Sequence, residues 1–293
     1  MNAEVEYLSA ELRDELAANN VRRLIDPRTV ELRFSHLQAI SDCAAHALQA
    51  VQDDREETLS LRLGAGTHAI AFGQPVAIWD QPAKTGKGKA PRNGGDWDKF
   101  RTDNAGKVIV NRKEHDQAQQ IAAALRNHKL AAQLLFGPGV IHEDTIHWKM
   151  DGRACRSTPD ARGEDYVVEL KTTRSAEPRK FERDARFRGY HAQLAHQGMA
   201  IAAETGWPPL HYFIVSVETR KPYVVHVQEL SERAVARGEQ LVWAWFRRFR
   251  ACEDAGQWPV YSETATILDV PEDDDFVPAP LVFDDPTTFG NEP

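Results

Sequence analysis

The spacing of apolar residues changes twice along this chain. From 35 to 52, "SHLQAISDCAAHALQAVQ" repeats apolar residues at helical spacing behind a serine able to cap a helix. "EHDQAQQIAAALRNHKLAAQLLF" (114 to 136) repeats them over a longer run. Both segments predict helices packed on a core. Between 139 and 172 the period shortens. "GVIHEDTIHWKM" (139 to 150), "RACRST" (153 to 158) and "DYVVELKT" (165 to 172) alternate or run apolar as strands do, with "MDGR" and "PDARGE" as turns. They predict a three-stranded meander. A long polar helix follows from Pro178 to Thr205, then strands at 211–218 and 222–230, then a helix from 231 to 254. This order predicts an α/β (α+β) layer architecture with a central mixed β-sheet flanked by helices. No internal repeat of fixed period is visible.

The chain has 293 residues, enough to bury a core. No stretch approaches the roughly 20 apolar residues that span a bilayer, and "MNAEVEYLSAELRDEL" lacks the apolar centre of a signal peptide. A cytoplasmic protein is expected. Cys43, Cys155 and Cys252 show no C-x-x-C spacing, so buried reduced thiols are expected rather than disulfides or a thiolate cluster.

Charge changes the picture more through its distribution than through its net value of −8. Residues 263–293 carry nine acids and neither Lys nor Arg, which leaves +1 on the other 262 residues. This acidic, proline-rich tail is expected to be disordered, serving solubility, a partner contact or polyanion mimicry. Before it, the pattern divides the chain into an N-terminal segment, 1–30, and one domain, 31–262. Within that domain, "PAKTGKGKAPRNGGDWDK" (82 to 99) has no apolar period and reads as a flexible basic loop. Its Lys84, Lys87, Lys89 and Arg92 either ride over a DNA backbone or face solvent in a linker.

The chemistry concentrates in "TPDARGEDYVVELKTT" (158 to 173). Asp160 falls at the end of the second strand or in the turn; Glu169 and Lys171, two apart on the third, point to one face. Two carboxylates and an ammonium converging suit Mg²⁺ or Mn²⁺, which takes carboxylates, waters and phosphate oxygens. Beside such an ion Lys171 would orient a water; otherwise it simply pairs with the acids.

An acid followed by [DE]-x-K is common by chance, but its neighbours are informative. "PDARGEDYVVELK" resembles the PD-(D/E)xK nuclease core, and "GYHAQLA" (189 to 195) resembles the Tyr-x-x-Gln element of exonucleases typified by RecE and RecB. "LGAGTHAIAF" (63 to 72) resembles the segment carrying a metal-binding histidine in those enzymes, here His68. "IHEDTIHW" (141 to 148) resembles the strand with an additional acid, for which Glu143 is the candidate beside Asp144. Further likeness in "FSHLQAIS", "WDKFRTDNAGKVIVNRKEHDQA" and "EDAGQWPVYS" extends it over roughly residues 30 to 265. The chain is similar to RecE-like (exonuclease VIII type) phage and prophage nucleases. It departs from related sequences in Thr158, where a basic residue often precedes Pro-Asp, and in its longer 82–99 insertion.

The resemblance implies a restriction-endonuclease-like core and a Mg²⁺- or Mn²⁺-dependent exonuclease acting on duplex DNA ends in phage-type recombination or repair, in the cytoplasm of a bacterial host cell. Its metal ligands would be His68, Asp160, Glu169 and Glu143, and Lys171 would orient water. Tyr190 and Gln193, on one helix face, would hold the scissile phosphate or terminal base. A homo-oligomer and a single-strand annealing partner are also implied. Alternatives are a non-catalytic DNA-binding module of the same fold and a nicking or flap-processing nuclease. "GAGTHA" has the G-x-G-x-x-A pattern of a dinucleotide loop, but no acid follows at the required distance; "KTGKGK" lacks the Ser or Thr of a phosphate loop.

Overall fold

The computed structural model describes residues 25–52, 58–82, 89–262 and 264–267. The chain divides into two units, Met1–Val260 and Tyr261–Pro293. In the second, the described residues form neither helix nor strand, and most of the predicted acidic tail lies outside them. Most of the N-terminal segment 1–30 is likewise outside the described residues. No helix among the described residues is long and apolar enough to cross a membrane.

In the first unit the predicted helices form, but the first three each break in two, while the last stays whole. The 35–52 run is two helices, α1 (Phe34–Asp42) and α2 (Ala44–Val51), separated by extended Cys43. Helix α3 (Leu59–Ala71) follows, its amino end capped by Thr58 accepting from the Leu61 N–H. Strands β1 (Val76–Ile78) and β2 (Val108–Val110) form a small parallel ribbon, with helix α4 (Gly94–Asp103) between them. The 114–136 run becomes α5 (Arg112–Asn127) and α6 (Lys129–Phe136). At their junction extended His128 caps α6, its Nδ1 accepting from the Ala131 N–H.

The predicted meander is also divided. Its first strand becomes β3 (Ile141–His142) and β4 (Ile146–Met150). The second becomes β5 (Arg153–Ser157) and β6 (Ala161–Arg162), and the third is β7 (Tyr166–Thr173). Two bends separate these pieces. Glu143 takes a left-handed backbone (φ 46°), and its N–H donates to the Asp160 carbonyl at 3.2 Å, tying one bend to the other. Pro159 lies in the second bend and offers no N–H to a ladder. The β4–β5 hairpin therefore leaves the sheet and pairs through Cys155 and its neighbours with Leu32.

The predicted long helix after β7 is α7 (Pro178–Phe187) and α8 (Tyr190–Thr205), turning at Gly189 with φ 66°. Strands β8 (His211–Glu218) and β9 (Val225–Glu229) and helix α9 (Glu232–Ala255) complete the order. The central sheet runs β3-β6-β7-β8-β9, parallel between β7 and β8 and antiparallel elsewhere. Parallel strands need a crossover, and α7 with α8 supplies it.

Both faces of this sheet are covered, so β7 reads as a nearly continuous apolar run in its first half. Val168 and Leu170 pack with Ile121, Leu125, Leu134 and Leu135 of α5 and α6. Val167 faces the other way, with Leu194, Ile201 and Ile214. Helix α9 closes over α8 because position 238 is glycine; a side-chain carbon there would collide with the His191 carbonyl oxygen. All three cysteines are free and buried.

Candidate active site

The site begins where one strand outruns its neighbour. Strand β6 pairs with β7 only at Ala161↔Val168 and Arg162↔Val167. Beyond Val168 the β7 edge lacks a strand partner, yet a buried backbone amide needs one. Side chains take that place at Leu170. Asp160 Oδ2 accepts from the Leu170 N–H at 2.7 Å, and His68 Nε2 lies 3.1 Å from the Leu170 carbonyl oxygen. Asp160, on the bend after β5, and His68, on α3, are thus fixed by the gap in the sheet.

With Nε2 engaged by a carbonyl, His68 turns Nδ1 toward two acids. Asp160 Oδ1 is 3.3 Å away and Glu143 Oε1 3.7 Å. Glu143 is aimed by its bend and by Gln74, whose Nε2 donates to Oε2. Adjacent Asp144 instead pairs with Arg162 at 2.5 Å, which resolves the choice between the two acids. One ligand atom from each of His68, Glu143 and Asp160 lies within 4.8 Å of the others.

Glu169 and Lys171 share the opposite face of β7, under α8. Lys171 Nζ donates to Glu169 Oε1 at 2.5 Å and to Gln193 Oε1 at 3.1 Å, and sits 4.7 Å from the centre of the Tyr190 ring. Glu169 also accepts from Gln193 Nε2 on Oε1 and from Gln197 Nε2 on Oε2, each at 2.6 Å. Its carboxylate is directed at these donors rather than at the His68, Glu143 and Asp160 cluster.

The charges hold one another. Burial opposes a proton on His68, but Asp160 and Glu143 outweigh it and push the pKa up to about 10. Burial would raise the Asp160 carboxyl, yet His68, Lys171 and the Leu170 N–H hold it below the ordinary range. Burial and then Asp160 push the Glu169 carboxyl up, against Lys171 and Gln197. Burial opposes the Lys171 ammonium, while Glu169 and Asp160 keep its pKa above the ordinary value.

The donor set suits a hard divalent cation. Two carboxylates with one imidazole match Mg²⁺ or Mn²⁺ chemistry. The bond from Nε2–H to the Leu170 carbonyl fixes the tautomer that leaves the Nδ1 lone pair facing the acids. Such an ion would take the place of the proton that His68 otherwise carries.

Beside Lys171, Tyr190 and Gln193, a polar cleft of about 560 Å³ opens toward Arg33, Arg156 and Arg188. Of the proposed DNA-contacting residues of the 82–99 segment, Lys89 and Arg92 do not line this cleft. Lys84 and Lys87 are outside the described residues. Lys89 pairs with Asp80 at 2.5 Å, and Arg92 donates to the Ile109 carbonyl at 3.1 Å beneath Trp97. The segment is not a loop throughout. Trp97 and Phe100 pack on Trp79, and Gly94 onward is helical. Those aromatics were the signal that it is anchored.

Gln197 and Gln74 escaped the sequence reading. Gln197 had a signal, since Tyr190, Gln193 and Gln197 form a polar stripe at i, i+3 and i+7 on an otherwise apolar helix. Gln74 and the three cleft arginines had none, because only the folded chain brings them to the acids.

A mixed sheet that presents Asp160 from the bend before β6, and Glu169 and Lys171 from β7 next to it, defines the PD-(D/E)xK nuclease class of folds. The chain belongs to the family described as PDDEXK-like domain of unknown function (DUF3799), whose model matches residues 33–271. Among solved structures it is similar to a Eubacterium rectale protein described as a candidate exonuclease, at 12% identity and a TM-score of 0.58. The match covers 90% of this chain and 95% of that one. The alkaline exonuclease LHK-Exo of Laribacter hongkongensis matches at 16% identity and a TM-score of 0.30, over 66% of this chain and 91% of that one. Comparison with curated proteins found no match.

Proposed function

We propose that the protein is a Mg²⁺- or Mn²⁺-dependent exodeoxyribonuclease that hydrolyses phosphodiester bonds at the ends of linear duplex DNA. The observation that carries this reading is the convergence of His68, Glu143 and Asp160, from segments far apart in the chain, beside the Glu169–Lys171 pair. Membership in a PDDEXK-like family supports the same chemistry. The likeness to the Eubacterium rectale protein, itself described as a candidate exonuclease, supports attack from ends.

In this reading His68, Glu143 and Asp160 hold the cation, with Glu169 as the further ligand implied by the sequence. The cation supplies stabilisation of the charge that develops on the phosphate oxygens. Lys171 orients the attacking water and favours its deprotonated form; Glu169 and Gln193 hold that ammonium in place. Tyr190 supports Lys171 from below and lines the cleft in which the scissile strand would lie. Arg33, Arg156 and Arg188 offer guanidinium groups to its phosphates.

By resemblance, the proposal extends to a role in phage-type recombination or repair in the bacterial cytoplasm, as a homo-oligomer working with a single-strand annealing protein. The test uses purified protein, end-labelled linear duplex and closed circular DNA, with Mg²⁺ or with EDTA. The expected result is metal-dependent loss of the linear DNA alone. Cutting of the closed circle would replace the exonuclease reading with a nicking one. Binding without cutting would leave a non-catalytic module.

A further inference from the structure

Helix α7 carries a surface that the chemistry above does not use. Its inner face is anchored by Phe181, 2% exposed, whose ring lies 6.2 Å from that of Tyr190. The rest of the helix is exposed, including Arg179, Lys180, Arg183 and Arg186, as is Arg188 at its carboxyl end. Three exposed acids accompany them. Glu177 caps the helix by accepting from the Arg179 and Lys180 N–H groups, and Glu182 lies 3.9 Å from Arg186. Asp184 is the third. The outward charge is therefore positive on balance.

At the end of this cationic stripe stands Phe187, 91% exposed. Lys180, Arg183 and Phe187 fall at i, i+3 and i+7, so the aromatic ring continues the line of cations along one face. Its neighbour Arg188 lines the cleft that contains Lys171, Tyr190 and Gln193. An aromatic ring fully in water, among cations and one residue from a cleft wall, matches the elements that hold single-stranded nucleic acid. Bases stack on the ring while the cations meet phosphates.

We propose that α7 docks single-stranded DNA at the mouth of the cleft, with Phe187 stacking on a base and Arg183, Arg186 and Arg188 contacting the phosphates. The assignment rests on the nuclease reading for its substrate, and gives the cleft a second contact with the strand beyond the site of cutting. A duplex keeps its bases stacked internally, so Phe187 selects an unpaired strand. The arginines do not distinguish the two forms.

The test measures binding in EDTA, where cleavage cannot interfere, by fluorescence anisotropy with an oligothymidine of about 20 nucleotides and a blunt duplex of equal length. Phe187→Ala should weaken single-strand binding about tenfold and leave duplex binding nearly unchanged, and Phe187→Trp should restore it. Arg183→Gln with Arg186→Gln should weaken both forms and lower the dependence of affinity on salt. An oligonucleotide carrying 2-aminopurine should show stacking quench with the wild type and not with Phe187→Ala. Because Phe187 is exposed, these variants are expected to fold, and circular dichroism verifies it. Unchanged single-strand affinity in Phe187→Ala overturns the proposal. So does a change of oligomeric state with DNA binding intact, which would make the ring a protein contact. Binding through Phe187 in a wild type that fails to cut with Mg²⁺ would remove the nuclease reading and leave the docking surface. Metal-dependent cutting with binding indifferent to Phe187 would do the reverse.

Discussion

Two clusters of buried charge lie in the same unit, and they are built differently. One joins the β4–β5 hairpin to the end of α9. Arg153 Nη2 is 3.0 Å from Glu253 Oε1, with 7% and 1% of the side chains exposed. The same guanidinium donates to the Pro27 and Val30 carbonyls, at 2.7 and 2.8 Å, and Arg250 donates to the other Glu253 oxygen at 2.9 Å. Every group faces a protein donor or acceptor in a closed network. The other cluster, His68, Glu143 and Asp160, brings ligand atoms toward each other with 22%, 23% and 13% of their side chains exposed. Carboxylates facing one another across an accessible gap are stabilised by a cation or a proton. Buried charge alone therefore does not identify a site; convergence with access does.

This contrast fixes which property each residue should control. The largest expected effect is on chemistry. Lys171→Ala should reduce metal-dependent cleavage of linear DNA by about a thousandfold or more, in the range of losing a positioned proton-transfer or electrostatic group. The midpoint of urea unfolding should move far less, since Glu169 keeps Gln193 and Gln197 as donors. Glu253→Ala should do the opposite. It leaves Arg153 buried without its carboxylate, at a cost of about 3–5 kcal/mol in unfolding free energy. Folded Glu253→Ala protein should cut normally at low temperature. Loss of cleavage in that folded variant, or a comparable destabilisation by Lys171→Ala, would break the distinction.

The same contrast shows what the sequence could convey. The shared face of Glu169 and Lys171 was legible because strand periodicity determines which side each side chain takes, whereas Asp160, on a bend, was legible only as part of the motif. The sheet, the crossover and strand β8 were legible because β7 and β8 are apolar runs between turn residues. The breaks at Cys43 and His128 were not, since apolar spacing continues through both, nor was the turn at Gly189, inside a run read as one polar helix. Nor was the departure of the β4–β5 hairpin, which depends on Glu143 adopting a left-handed backbone and on its bond to the Asp160 carbonyl. That bend also selects Glu143 over Asp144, so one local conformation shapes both fold and site. The 82–99 segment misled because its glycines and lysines conceal Trp97, which anchors it.

Cation binding sharpens the comparison at smaller amplitude. Mn²⁺ at about one hundred times its dissociation constant should stabilise the wild type by about 2.7 kcal/mol. His68→Ala and Asp160→Asn should lose most of that increment in a thermal-shift titration, while Arg250→Gln, in the closed network, should retain it. An equal metal response in His68→Ala would separate the cluster from the cation site.

The smallest effect is a pH dependence with a defined sign. Without metal, the His68 pKa is raised from 6.5 to about 10 by Asp160 and Glu143 despite burial. A raised pKa means that folding favours the protonated form, so its contribution is complete below about 6.5 and is lost as pH rises through about 10. Asp160 has the opposite sign: its lowered pKa contributes above the ordinary value of 3.8 and is lost as pH falls. In EDTA, the difference in melting temperature between wild type and His68→Gln should therefore be greatest between pH 3.8 and pH 6.5 and shrink as pH rises toward 10. With Mn²⁺ present the trend should reverse, because the ion needs Nδ1 without its proton and binds more tightly as pH rises. A difference in melting temperature that is flat with pH in EDTA would mean that His68 carries no proton between the acids, and that the cluster is held by Gln74 and the Leu170 backbone alone.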